Sequence, residues 1–275
     1  MARTARMLRL TSPLAALALL ATGACEQGGS DQYGTVTDTL SSFSEPVDTT
    51  PYVADVEEGL GVAVAILLDN SGSMADRAEG DVRPKYVVAR RAVEEVLRQT
   101  AEHVRARPDQ PVSVGIWSFS GRADEVLPME PYDSARVAAA LARLPAPAGG
   151  TAIGDAMDQA RAALYRSGRI RKHLLVVTDG ENNEGAPPDR VAREIRARSQ
   201  GAVQMYFVAF DIDPEKFRFA TDYGATLASA GDGAQLRSTL EGIYAGKILA
   251  EAADTGEGAP PAGPDTATTT ERSEP

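Results

Sequence analysis

The chain has 275 residues, with 28 Lys and Arg against 39 Asp and Glu, and a single cysteine. That length gives room for one domain of ordinary size with appendages. A lone cysteine cannot form an internal disulfide, and a net charge of -11 leaves no basic excess to neutralise phosphates, which excludes nucleic acid as the expected partner.

The acid is unevenly placed. Residues 26–58 hold eight acids and no Lys or Arg, and residues 251–275 hold six acids against Arg272 alone. The intervening residues 59–250 are close to neutral, at 25 acids and 24 bases. The expected organisation is therefore a signal peptide over 1–24, an acidic flexible tether over 25–58, a folded domain over 59–250 and a disordered acidic tail over 251–275.

At the N-terminus, Arg3, Arg6 and Arg9 precede an apolar run from Leu10 to Ala21, interrupted at Thr11-Ser12-Pro13. The run is too short for a spanning helix of ~20 residues, and small residues follow it, which is the order of a secretory signal. Cys25 stands directly after Thr22-Gly23-Ala24. This resembles a bacterial lipobox, although that pattern favours Leu where Thr22 stands. The resemblance implies lipidation of Cys25 and an exported, membrane-anchored lipoprotein of the cell envelope, facing the periplasm or the cell surface. Cleavage after Ala24 leaving a free thiol is the alternative.

The domain opens on Val62 to Leu68, seven apolar residues in succession, leading into Asp69-Asn70-Ser71-Gly72-Ser73-Met74. An unbroken apolar run rich in β-branched residues predicts a strand covered on both faces. Asp69, Ser71 and Ser73 then fall just past its C-terminal end, the edge at which open α/β sheets bind ligands. Pro84 opens a helix in which Ala89, Ala92, Val93, Val96, Leu97, Ala101 and Val104 form one apolar face. His103 reads as a surface residue of that helix.

Val112 to Phe119 alternates as a second strand, Ala123 to Met129 supplies a short edge strand, and Asp133 caps a helix running to Leu144. Gly149-Gly150 presents Thr151, followed by a helix striped with Ile153, Met157, Ala160 and Leu164. Leu174 to Val177 is a third buried run ending at Thr178-Asp179, with His173 at its entry. Pro187-Pro188 starts a helix, Val203 to Phe210 and Thr226 to Ala230 are strands, and Ala234 to Leu249 is the last helix. Arg122 and the turn Glu181 to Gly185 lie beside these loops. They read as surface features, with steering of an acidic partner and a second cation as their functional alternatives.

Alternating strands and helices predict an α/β fold: a doubly wound, mostly parallel six-stranded sheet with helices on both faces. All three loops carry oxygen donors of the kind that hard cations take. Other chemistries fit less well. A dehalogenase-type phosphotransferase needs a second Asp where Ser71 stands, an EF-hand needs an acidic residue where Gly80 stands, and neither a phosphate-binding loop nor a nucleophile elbow occurs.

Taken in order, Asp-Asn-Ser-Gly-Ser-Met, Gly-Gly-Thr-Ala-Ile-Gly-Asp-Ala and Val-Val-Thr-Asp-Gly-Glu-Asn-Asn resemble a von Willebrand factor A domain with its complete metal-ion-dependent adhesion site. The resemblance covers about residues 60–249. It implies that Ser71 and Ser73 bind a divalent cation directly, that Thr151 binds directly or through water, and that Asp69 and Asp179 accept from the shell around it. Magnesium is the expected ion, with manganese or calcium as alternatives. The implied function is non-enzymatic capture of a partner protein through an Asp or Glu carboxylate that completes the cation's shell. One alternative is a structural envelope component whose cation braces the loops. The other is a metal-assisted hydrolase, which needs a general base that only Glu181 is placed to supply.

Overall fold

The computed structural model describes residues 47–54 and 56–253. The proposed signal segment, Cys25, most of the tether and the tail beyond residue 253 lie outside them. In chain order the elements are β1 (Gly59–Asp69), α1 (Lys85–Ala106), β2 (Val112–Phe119), β3 (Ala123–Pro131), α2 (Ser134–Ala142), α3 (Ile153–Arg166), β4 (Arg169–Thr178), α4 (Pro188–Ser199), β5 (Val203–Phe210), α5 (Arg218–Asp222), β6 (Thr226–Ala230) and α6 (Gly233–Ile243). The last helix continues through a π-helical turn at Tyr244–Leu249 into Ala250–Ala253.

The strands form one six-stranded sheet in the order β3-β2-β1-β4-β5-β6, parallel except for the antiparallel edge strand β3. This is the expected doubly wound architecture. β1 is central because it can be covered on both faces. Its even-numbered residues Val62, Val64, Ile66 and Leu68 enter the core shared with α1, α2 and α6, while Ala63, Ala65 and Leu67 enter the core shared with α3 and α4. Small residues on that second side, with Ala156, Ala160 and Ala163 on α3, let helix and sheet approach closely.

β4 is longer than its apolar run. It begins at Arg169, five residues before Leu174, and pairs with β1 through Val62↔Arg171 and Val64↔His173. The polar residues are accommodated by long-range partners. Lys172 pairs with Glu58 and stands over the Tyr165 ring. His173 is fully buried, with Nδ1 3.4 Å from the Tyr206 hydroxyl. The short helical turns at Pro214–Phe217 and Arg218–Asp222 carry no sequence stripe long enough to have announced them.

Part of the segment read as tether lies on the domain. The guanidinium carbons of Arg198 and Arg161 lie 4.1 and 4.7 Å from the ring centre of Tyr52, and the Tyr52 N–H donates to the Arg198 carbonyl at 3.0 Å. Arg161 lies in the second half of α3 and Arg198 in the last turn of α4, toward the end of the sheet where β1 begins. The chain therefore enters at the edge opposite the loops that follow β1 and β4. Among the described residues no helix is long and apolar enough to cross a membrane.

Candidate metal centre

The site is built where β1 and β4, neighbours at the centre of the sheet, end side by side. Asp69 is the last residue of β1. Its Oδ1 accepts from the Ser71 N–H at 2.8 Å and its Oδ2 accepts from the Thr178 hydroxyl at 2.6 Å. The first bond folds the chain back into a tight Asx-type turn; the second ties the ends of the two strands together. The turn continues as a single 3₁₀ turn over Gly72–Ala75, which brings the Ser71 and Ser73 hydroxyls to 3.1 Å from each other. The Ser73 hydroxyl donates to Asp179 Oδ1 at 2.8 Å.

The Thr151 loop closes over the same place. Gly72 N–H donates to the Gly149 carbonyl at 3.1 Å, and Ala148 N–H to the Asn70 carbonyl at 3.1 Å. Thr151 is buried, its N–H held by Asn183 Oδ1 at 2.7 Å. Convergence of the three loops is visible at Gly180, where a Cβ would stand 3.3 Å from Thr151 Oγ1, 3.8 Å from Asp69 Oδ2 and 3.8 Å from Ser73 Oγ. The structure therefore gathers Asp69, Ser71, Ser73, Thr151 and Asp179 around one small volume at the sheet's C-terminal edge. Five oxygen-bearing side chains, three of them neutral hydroxyls, suit a hard divalent cation that retains some of its water.

Burial pushes the Asp69 carboxyl up to about 6, against the hydrogen bonds from Ser71 and Thr178 that hold it down, with the charge of Asp179 adding to the rise. A cation beside it would act in the opposite sense, since cation charge favours the ionised form.

Five residues at the site were not assigned roles from sequence. Thr178 lies inside the Val-Val-Thr-Asp-Gly stretch, and its hydroxyl fixes Asp69. Asn183 belongs to a turn read as surface, yet it and Asn182 hold the Thr151 loop, with Asn182 Oδ1 3.3 Å from the Gly154 N–H. Lys85, at the start of α1, places its ammonium 3.1 Å from Asp179 Oδ2 and 2.9 Å from Asp211 Oδ2. Burial works to lower the Lys85 pKa, but the hydrogen bonds it donates to Asp211 and Asp179 prevail and hold it above the ordinary lysine value. Asp211 directly follows the last residue of β5, on the same sheet edge.

The other flanking residues stand apart from this chemistry. Arg122 is 81% exposed and pairs with Asp124 at 3.1 Å, while Glu181 pairs with Lys216. Among the described residues no cluster of three or more His, Cys, Asp and Glu is arranged as a metal-ligand set.

Residues 64–181 match the family model of the von Willebrand factor type A domain. No curated protein matches the chain. Among solved structures it is similar to a D319A mutant of the PilB minor pilin from Streptococcus sanguinis, at 12% identity and a TM-score of 0.58, covering 74% of this chain and 65% of the pilin. It thus spans just under two thirds of that protein's length. An aerotolerance-related membrane protein from Bacteroides fragilis matches at 21% identity and a TM-score of 0.52, over 70% of this chain and all of the other. Proximal thread matrix protein 1 from the mussel byssus, whose metal-ion-dependent adhesion site is occupied by zinc, matches at 18% identity and a TM-score of 0.52, over 73% and 48% of the two chains. On the family match and on its sheet, this chain carries a domain of the von Willebrand factor A fold.

Proposed function

We propose that this is a lipid-anchored domain of the cell envelope that captures a partner protein through a divalent cation, most simply magnesium, completed by an Asp or Glu carboxylate of the partner. The observation that carries the reading is the convergence of Ser71, Ser73 and Thr151 on the Asp69–Asp179 pair. The cation would supply an electrophilic coordination position for an incoming carboxylate. The residues divide the remaining work: Ser71, Ser73 and Thr151 offer neutral oxygens that leave the cation's charge unquenched, while Asp69 and Asp179 orient the hydroxyls. Thr178 and Asn183 fix the loops from outside. A neutral amide of the carboxylate's shape presents only a dipole, so the acid is preferred.

A non-enzymatic role agrees with Glu181, the acid that sequence offers as a base, being engaged by Lys216. The domain's near-neutral charge speaks against nucleic acid. The bracing alternative draws support from the hydrogen bonds that already knit the three loops. Capture of partner from envelope extract separates the two readings: the adhesion reading expects retention in magnesium and loss in chelator with the domain still folded. Retention undiminished by chelator would replace it with the bracing one.

The envelope reading rests on the Arg-led apolar signal ahead of Cys25 and on entry of the chain opposite the site, which lets a tether hold the loops away from a membrane. A single acyl chain binds membranes marginally, whereas a diacylglycerol-modified cysteine supplies stable anchoring. Mass spectrometry of the mature N-terminus is expected to show a lipidated Cys25, and Cys25→Ser to release the protein or block its maturation. An unmodified mature cysteine would remove the anchor from the proposal.

A further inference from the structure

The ammonium of Lys85 lies against the site without belonging to its hydroxyl and carboxylate set. Its side chain is 10% exposed and bridges Asp179, whose side chain is wholly buried, to Asp211. The arrangement is held at some conformational cost. Asp211 sits in the left-handed region at φ 54, a conformation that Asp tolerates better than most residues, with its N–H bonded to the Ala230 carbonyl at 2.8 Å. Asp211 is thereby aimed back across the end of β5 at Lys85, and Lys85 at Asp179.

The charges at this point can be counted. Asp69, Asp179 and Asp211 are three carboxylates and Lys85 is one ammonium, while Glu181 and Lys216 on the rim cancel each other. With Asp69 ionised, a divalent cation brings these four groups to neutrality, while the Glu184 carboxylate beside the Gly150 backbone adds one further negative charge. Without the ammonium, the same cluster would remain negative after cation binding and would repel an incoming anion. An ammonium beside the cation also repels the cation itself.

We propose that Lys85 is a specificity-determining residue that weakens cation binding in order to make the loaded site receptive to an anionic partner. The inference rests on the cation-site reading and adds to it a residue that acts with opposite sign on the two binding steps. Buried charges a few ångströms apart interact strongly enough for each effect to be about tenfold or more.

The test uses the purified full-length chain, Mn2+ as the cation, and acetate with acetamide as its neutral counterpart. Mn2+ affinity is read by titration calorimetry, and occupancy of the open position by loss of water proton relaxation enhancement. Lys85→Met is expected to bind Mn2+ about tenfold more tightly, and its Mn2+ complex to bind acetate about tenfold more weakly, with acetamide unaffected. Its melting temperature should fall without cation, because Asp179 and Asp211 lose their shared partner, and should rise further on Mn2+ addition than that of the wild type.

Asp211→Asn keeps a residue tolerant of the left-handed backbone and removes one negative charge, so both signs should reverse: weaker Mn2+ and tighter acetate. This second variant carries the test should Lys85→Met not fold. If Lys85→Met weakens both steps or changes neither, Lys85 is a structural pin and the inference fails while the cation site stands. If the wild type itself takes up no Mn2+, the cation-site reading fails and the inference with it.

Discussion

Ser73→Ala and Asp179→Asn are each expected to weaken divalent cation binding by roughly 10- to 100-fold, the usual cost of removing groups that bind or orient a metal shell, while the domain stays folded. The Ser73 hydroxyl is the hinge of the site, 3.1 Å from Ser71 Oγ and 2.8 Å from Asp179 Oδ1. Alanine deletes a donor and frees the Asp179 carboxylate to turn toward Lys85. Asparagine at 179 keeps the shape and one acceptor but removes the charge facing the cation. The sheet should survive both changes, because its cores are built from the apolar residues of β1, β4 and β5 and contain neither side chain. Magnesium titration calorimetry with circular dichroism on each variant is the measurement. Full affinity in a folded Ser73→Ala protein would mean that the hydroxyls of this loop do not hold a cation.

His173 gives the second large effect, on stability in acid. It is fully buried in the central part of the sheet, beside Tyr206, with Arg171 close by and Glu251 Oε2 3.5 Å from its Nε2 but outside hydrogen-bonding geometry. Burial pushes its pKa down to about 4 from an ordinary 6.5, with the Arg171 charge adding to the fall. Because the folded-state value is depressed, the unfolded chain binds the proton first as pH drops. Stability from this residue is thus intact above about 6.5, declines between about 6.5 and about 4, and is lost to the extent of about 3 kcal/mol below that window.

Asp69 has a raised value in the cation-free protein and contributes the opposite slope over part of the same range, so wild type must be compared with a variant. His173→Gln is expected to show a flatter loss of stability between pH 7 and 4 in denaturant unfolding, the two curves diverging by about 3 kcal/mol. Parallel curves would mean that His173 takes up its proton in the folded state without penalty.

Much of this molecule was legible as sequence because its signals are local. The apolar run of β1, the helical stripe from Ala89 to Val104 and the Asp133 cap each record a requirement met within a few residues, and the structure meets them where expected. The Asp69-x-Ser71-x-Ser73 turn is equally local, since the bond from the Ser71 N–H to Asp69 spans two positions. The first half of β4 was not legible. Arg169 to His173 is too polar to read as a central strand, and it becomes one because pairing to β1, Glu58 under Lys172 and Tyr206 beside His173 compensate its polarity from far along the chain.

The sequence by itself determined the doubly wound sheet and the types of residue at the ends of β1 and β4, because strand burial and loop chemistry are written in adjacent positions. Only the tertiary structure decided which charges face one another there. Lys85 and Asp179 are 94 residues apart, and Asp211 reaches the same ammonium from β5 by a left-handed backbone turn. No periodicity records such a meeting. It arises because a parallel sheet brings the C-terminal ends of β1, β4 and β5, with the start of α1, to one edge, where buried charges must find opposite partners or leave.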